Sequence, residues 1–365
     1  LAASPSYSQS YDEHFTVSKP ELRIVNLIGE IQVTKHTGQS FDVVVHVRGK
    51  DASREAIKVR LDETARKLVV EYPLDKERNF VYPNLGGHHS KSTFHWNPDG
   101  GPISYGIKDL VGLGEHPKIT VTSGGRGPEL WADIEVRVPE KGRLEVVDGV
   151  GSVNAVDVNG DLKLVLQSGP ITAEKITGEL DADTGSGRVT ITGVKGKVLA
   201  DTGSGRVNIE DVDGDLNVDT GSGSVNVTRV RGDKVHADTG SGSVRLSEIR
   251  CEDLRVDTGS GGIELMSGAI GQGHFDTGSG GVELVLDQLR GGPIHVDTGS
   301  GSVTLDLPEA PSATINASTG SGSISVDLDD VDWVRKERDD KSFKVGKGEA
   351  RVTLETGSGS IRVRS

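Results

Sequence analysis

Seven aspartates, Asp183, Asp201, Asp219, Asp238, Asp257, Asp276 and Asp297, each open the pentapeptide Asp-Thr-Gly-Ser-Gly, at intervals of 18, 18, 19, 19, 19 and 21 residues. A fold that brings them into register stacks the carboxylates about 5 Å apart, where each pair repels by about 3 kcal/mol at an effective dielectric of about 20. A cation would offset that repulsion, and an all-oxygen donor set favours calcium. The competing reading is structural. Each Asp accepts hydrogen bonds from the following Thr or Ser hydroxyl and from backbone N–H groups in a repeated Asx-type turn, while solvent screens the rest. The motif departs from the Gly-Gly-x-Gly-x-Asp repeat of calcium β-rolls, which favours the structural reading.

Other chemistry is sparser. His88, His89 and His95, with Asp99 nearby, offer nitrogen and oxygen donors for a metal, but their spacing fits no strong zinc signature, and His clusters in polar loops are usually solvated. The Gly-Ser-Gly corners have no following helix or Lys, so they do not read as a nucleotide-binding loop. Cys251 is the single cysteine, which excludes an intrachain disulfide and leaves a turn or wall position more plausible than a reactive thiol. Polysaccharide-cleaving β-helices need one special cluster of carboxylates or basic groups; here the carboxylates repeat, and only residues 76–130 offer a distinct place for such a site. No catalytic residue and no cofactor other than calcium is implied.

The elements that must position these residues follow from the repeat. Thr-Gly-Ser-Gly occurs nine times, and Gly151 and Gly169 extend the series backwards by 18 residues each, giving eleven rungs. Within a unit the pattern alternates: Leu216, Val218, Val225 and Val227 fall on one face, Asn217, Asp219 and Asn226 on the other. Period two means strand. Each unit holds two short strands joined by Thr-Gly-Ser-Gly at one corner and a looser turn at the other, with Gly accepting positive φ at both. Burying four or five aliphatic side chains yields about 1.5–3 kcal/mol each, while fixing about 19 backbones costs about 1–2 kcal/mol apiece, so units must stack and share hydrogen bonds. The expectation is an all-β parallel β-solenoid with coils of about 18–21 residues spaced about 4.8 Å apart, eleven of them spanning roughly 50 Å. Its narrow interior explains why the chain has 50 Gly but only 6 Phe, 5 Tyr and 3 Trp among 365 residues.

The remaining segments divide the chain. Residues 1–20 form an N-terminal extension and 21–140 an N-terminal β cap region, interrupted at 76–130 by a His-, Gly- and Pro-rich stretch that reads as a decorated loop. Residues 141–326 are the repeat solenoid, 327–348 a charged insertion read as a loop protruding from one coil, and 349–365 the terminal coil. A net charge of −14 argues against nucleic acid and against an anionic membrane surface. No apolar run is long enough for a membrane span. The start Leu1-Ala2-Ala3-Ser4-Pro5 fits a chain whose signal peptide has been removed.

Three stretches carry a family resemblance: Leu22-Arg23-Ile24-Val25-Asn26-Leu27-Ile28-Gly29-Glu30-Ile31-Gln32-Val33, Ile134-Glu135-Val136-Arg137-Val138-Pro139-Glu140-Lys141-Gly142, and Glu355-Thr356-Gly357-Ser358-Gly359-Ser360-Ile361. They resemble a bacterial family of β-strand-repeat domains of unknown function, provisionally called adhesins and related to the head GIN-domain adhesins. The resemblance covers most of the chain and implies a right-handed parallel β-helix on the exported side of a bacterial envelope, secreted or at the cell surface, without catalytic residues. Residues 75–130 and the near-invariant Asp-Thr-Gly-Ser-Gly corner depart from that family's pattern.

The ends suggest assembly. Ser360–Ser365 reads as an open coil face carrying Ile361 and Val363, and a segment containing Tyr7, Tyr11 and Phe15 could add a strand to that face of a second copy, giving head-to-tail filaments. The functional expectation is a non-catalytic structural or adhesive β-solenoid that self-associates or holds a cell-surface or polysaccharide ligand. The alternatives are a carbohydrate-active enzyme, a calcium-binding monomeric adhesin and an envelope sensor module.

Overall fold

Alternation of apolar and polar residues builds the strands, and single left-handed residues bend them around corners. In Val225–Arg231, Val225 and Val227 point inward; Arg229, at φ 55°, then shifts the alternation so that Val230 also reaches the interior. Asp211 and Glu248 repeat that left-handed conformation in the neighbouring coils, at φ 58° and 56°. The computed structural model describes residues 10–85, 90–97 and 117–365, and every regular element among the described residues is a strand. The chain divides into two compact units, Leu1–Thr190 and Ile191–Ser365.

In the first unit, Glu21–Lys35 forms a complete coil. Along one edge it pairs in parallel with Gly142–Ser168, Glu21 opposite Arg143 and Ile31 opposite Val153. Along its other edge it pairs in parallel with Lys67–Glu71 and Trp131–Val138. The chain then advances by 18 residues, Val153 opposite Ile171 and Leu162 opposite Leu180. Gly29, Gly151, Gly169 and Gly187 stack in one column, so close that a Cβ on Gly151 would lie 1.6 Å from the Gly29 carbonyl oxygen. The backward extension to Gly151 and Gly169 therefore holds, and Gly29 is a further member that no constant period reveals.

The unit also contains antiparallel pairs. Phe41–Arg48 runs against Trp131–Val138, and Tyr11–Val17 against Phe41–Arg48 with Phe15 opposite Val43. The segment expected to be a decorated loop contains, in its described part, a three-stranded sheet of Asn79–Val81, Lys118–Thr122 and Lys91–His95. Phe80, Ile119 and Val121 are fully buried there, and Tyr82 meets Trp131 edge-on at 5.6 Å. Its alternating Lys118-Ile119-Thr120-Val121-Thr122 was outweighed in the sequence by the surrounding Gly, Pro and His.

The second unit is a parallel β-solenoid with in-register coils. Val198 stacks on Leu216, Leu216 on Val235, Val235 on Leu254, and so on through Gly273 and Ile294. Beyond Pro293–Thr298 the spatial order departs from the chain order. The next rung is the chain's final segment, Ala350–Thr356 and Ile361–Arg364, and only then come Ala313–Thr319 and Ile324–Asp327. Asp340–Val345 lies antiparallel on Ala313–Thr319, and Asp332–Lys336 antiparallel on that.

Two expectations fail for this reason. Ser360–Ser365 does not leave an open coil face: Ile361 is paired with Val303 on one side and Ile324 on the other, and both Ile361 and Val363 are buried. The charged insertion is not a loop protruding from one coil but an antiparallel hairpin closing the unit, with Trp333 packed on Phe343 at 5.1 Å.

Candidate functional site

The corner pentapeptide divides its residues between two faces. Thr220, Thr239, Thr258, Thr277 and Thr298 are fully buried. Each hydroxyl donates to the second-glycine carbonyl of the neighbouring coil, as Thr258 does to Gly242 at 2.8 Å, and accepts the N–H of its own second glycine, as from Gly261 at 3.1 Å. Both backbone groups are thereby satisfied at a corner where strand pairing lapses. The glycines are required by contact: a Cβ on Gly261 would stand 1.8 Å from the Gly242 carbonyl oxygen. Positive φ, the reason expected from sequence, operates instead at the looser corner, where Gly196 and Gly214 adopt 142° and 153°.

With Thr turned inward, Asp points outward. Asp219, Asp238, Asp257, Asp276 and Asp297 take no hydrogen bond from a Thr or Ser hydroxyl, so the expected Asx-type turn does not form at these five positions. In the second unit the column runs Asp201, Asp219, Asp238, Asp257, Asp276, Asp297, then Glu355 and Ser318. Asp183 lies in the first unit, two positions past Asp181 on Leu180–Ser186, with Val165 as its register partner. Burial and the flanking Asp219 and Asp257 raise the Asp238 carboxyl above its ordinary range, and burial with Asp257 and Asp297 raises that of Asp276.

A second column, two residues back on the same outward face, offsets part of this repulsion. It runs Asn217, His236, Arg255, His274, His295, Thr353 and Asn316. His236 pulls Asp238 back down, and His274 and His295 do the same to Asp276. The His274 and His295 rings stack at 5.3 Å and 13°. Where the two columns meet the inserted C-terminal strand, donor atoms of His295, Asp297 and Glu355 lie within 4.8 Å of one another. Asp297 was legible as a cation candidate; Glu355 preceded a corner motif in the sequence, but its place on Asp297 follows from the non-sequential rung order.

The other sequence candidates separate. His88, His89 and Tyr7, with Asp99, lie outside the described residues. His95 ends Lys91–His95, opposite Lys118. The Tyr11 hydroxyl donates to the Ile57 carbonyl at 2.7 Å, and the Arg54 guanidinium sits 4.3 Å from its ring centroid, so this edge strand is tied into its own unit. Cys251 is buried, and desolvation with nearby Asp253 pushes its thiol up to about 12, which keeps it a packed, unreactive group. Sequence reasoning missed Asp148. It is fully buried opposite Asn26, its carboxyl pushed well up by burial; the Gly149 N–H and Asn26 amide favour the charged form without completing a hydrogen bond.

The described concavities are open grooves rather than enclosed cavities. One of about 340 Å³ is lined by Lys195, Asp211, Arg229, Arg231, Glu248 and Arg250, with Arg229 paired to Glu210 and Asp211. Another of about 390 Å³ runs along Arg245, Glu264 and Glu283.

Comparison with known proteins places these coils. Residues 212–364 match the profile of the Toastrack DUF4097 family. A Clostridium sporogenes ATCC 15579 protein provisionally described as a cell adhesion protein aligns over 98% of this chain and 99% of its own, at 12% identity and a TM-score of 0.21. A Bacteroides fragilis NCTC 9343 protein provisionally described as an adhesin aligns over 98% and 97%, at 12% identity and a TM-score of 0.29. No curated protein matches. Residues 212–364, all within the second unit, are thus similar to the Toastrack DUF4097 family, whose function is unknown.

Proposed function

We propose that the chain is a non-catalytic, surface-displayed adhesive β-solenoid. The observation that carries this reading is the outward face of the second unit, where carboxylate and imidazole or guanidinium columns advance one rung at a time on the strands before the corners, while an open groove runs along the strands after them. Such a face offers a repeated set of weak polar contacts at about 4.8 Å intervals, suited to an extended polymer rather than to one small substrate. Catalysis instead calls for a single dry cleft with convergent groups. Self-association enters this reading through the antiparallel strands Tyr11–Val17 and Asp332–Lys336, each paired with its own unit along one edge.

The test is retention of full-length protein on immobilised neutral and acidic polysaccharides and on bacterial surfaces. Reversible, salt-sensitive retention without new reducing ends or unsaturated products is expected. Turnover of any polymer in the panel, or no retention on any surface, overturns the reading.

A further inference from the structure

The position where His295, Asp297 and Glu355 meet differs from the rest of the ladder in composition. From Asp201 to Asp297 each acidic residue stacks on another Asp, but the strand inserted from the C-terminus places Glu355 on Asp297. The same register places Thr353 on His295, so the imidazole has a small neighbour on one side and the stacked His274 ring on the other. Among the described residues, none of the His295, Asp297 and Glu355 side chains makes a hydrogen bond or ion pair, although their donor atoms converge within 4.8 Å. No second group of this kind occurs among the described residues.

Metal geometry accounts for that convergence. Bonds of about 2.0–2.2 Å to nitrogen and carboxylate oxygen, at tetrahedral angles, hold any two ligands of one ion about 3.3–3.6 Å apart. The separation of up to 4.8 Å therefore closes with a movement of about 1.2–1.5 Å, within reach of a rotation of the exposed Glu355 side chain. One imidazole nitrogen with two carboxylates suits a borderline first-row divalent ion; calcium prefers oxygen alone. Three protein ligands leave a fourth position for water. An ion there also neutralises the carboxylate column where Asp276 and Asp297 crowd it. The acidic ladder alone supplies no nitrogen and no such convergence, so the site is one place on the face and not a property of every rung.

We propose that His295, Asp297 and Glu355 bind a single divalent first-row transition-metal ion, for which Zn²⁺ is the probe. The proposal is independent of the adhesive reading, because its readout is metal binding and not ligand retention.

The test uses chelator-treated full-length protein carrying H88A, H89A and H95A, so that the other histidine cluster contributes nothing. Calorimetric titration with Zn²⁺ is expected to give one ion per chain. His295→Ala, Asp297→Asn and Glu355→Gln should each weaken binding at least tenfold, while Asp219→Asn, elsewhere on the ladder, should change it less than twofold. Calcium at equal concentration should not compete. Co²⁺ substitution supplies a second readout, a visible absorption band lost in H295A. Thermal midpoints measured in chelator establish that each variant folds. Absence of zinc binding, binding unchanged in E355Q and H295A, or equal loss in D219N overturns the proposal.

Discussion

The two units each hide a strand from near one end of the sequence between rungs built from other parts of the chain, and they do so by different means. Glu21–Lys35 lies between Gly142–Ser168 and the pair Lys67–Glu71 and Trp131–Val138, and the described strands among residues 36–141 add antiparallel pairs and buried aromatic residues around it. The final segment, Ala350–Thr356 with Ile361–Arg364, lies between Pro293–Asp306 and Ala313–Asp327, and the chain reaches that slot through one hairpin. A bare terminal coil would present unpaired N–H and C=O groups to another strand. Both units place antiparallel structure outside the inserted strand instead. The longer excursion costs only about 1–2 kcal/mol more in chain entropy, so an elaborate cap is tolerated at the first unit as readily as a short one at the second.

The largest effect should come from removing the inserted strand. Deleting residues 346–365 removes Val352, Leu354, Ile361 and Val363, all buried. At about 1.5–3 kcal/mol each this is about 6–12 kcal/mol, comparable to the whole stability of a domain. Limited proteolysis should then degrade residues 307–345. Deleting residues 1–19 removes a strand paired along one edge, in which Val17 is the buried aliphatic residue, and should lower the thermal midpoint modestly. Equal sensitivity of the two deletions would break the contrast between inserted and outer strands.

Glycine substitutions sharpen it next. Gly359→Ala places a Cβ 1.8 Å from the Gly301 carbonyl oxygen at the inserted rung, and Gly151→Ala places one 1.6 Å from Gly29 at the other. Both should cost about 3–5 kcal/mol, since backbone and not a flexible side chain must move. Gly124→Ala meets nothing within 4 Å and should be near neutral in the same thermal melts. A mild G359A would mean that the C-terminal rung is not stacked as described.

The same contrast explains what the sequence could reveal. Period and alternation specify which residues share a column, because every Thr-Gly-Ser-Gly corner makes the same hydroxyl and carbonyl contacts. That equivalence leaves their order open: Thr319 and Thr356 head identical corners, and the 37-residue gap between Gly322 and Gly359 is compatible with either one stacking on Gly301. The choice rests on the hairpin Asp332–Val345 occupying the outer edge of Ala313–Thr319, a long-range pairing without a motif. In the first unit Gly29 stacks under Gly151 across 122 residues, which no local repeat encodes. The Asp column was legible for the same reason as the corners, whereas the meeting of His295 and Asp297 with Glu355 was not, because it depends on strand order.

Buried acid separates the units again. Asp148 folds with a carboxyl whose affinity for protons is raised well above that of the unfolded chain, first by burial and then by Asp133. Between the unfolded value near 3.9 and the higher folded value, the native state holds the extra proton, so stability falls as pH rises through that window. Asp148→Asn should therefore stabilise the first unit by about 1–3 kcal/mol at pH 7. The amide introduced by that substitution would face Asn26 as Asn226 faces Asn208 at 3.0 Å. Melts from pH 7 to pH 4 should show wild type gaining on the variant, and a pH-independent difference would assign the effect to packing.

Asp238→Asn should show the same sign at smaller size. Its carboxyl is raised by partial burial and by Asp219 and Asp257, and lowered by His236, so protonation again favours the folded state and stability again falls with rising pH. Asp238 is only partly buried, however, and solvent screens its neighbours, which limits the gain at pH 7 to about 0.5 kcal/mol. Salt provides the discriminating measurement. Raising ionic strength should erase most of the D238N difference, because it arises between charges near the surface, and leave the D148N difference nearly intact, because desolvation is not screened. If both respond equally to salt, Asp148 is not isolated from solvent and the distinction between the buried acid of the first unit and the ladder acid of the second fails.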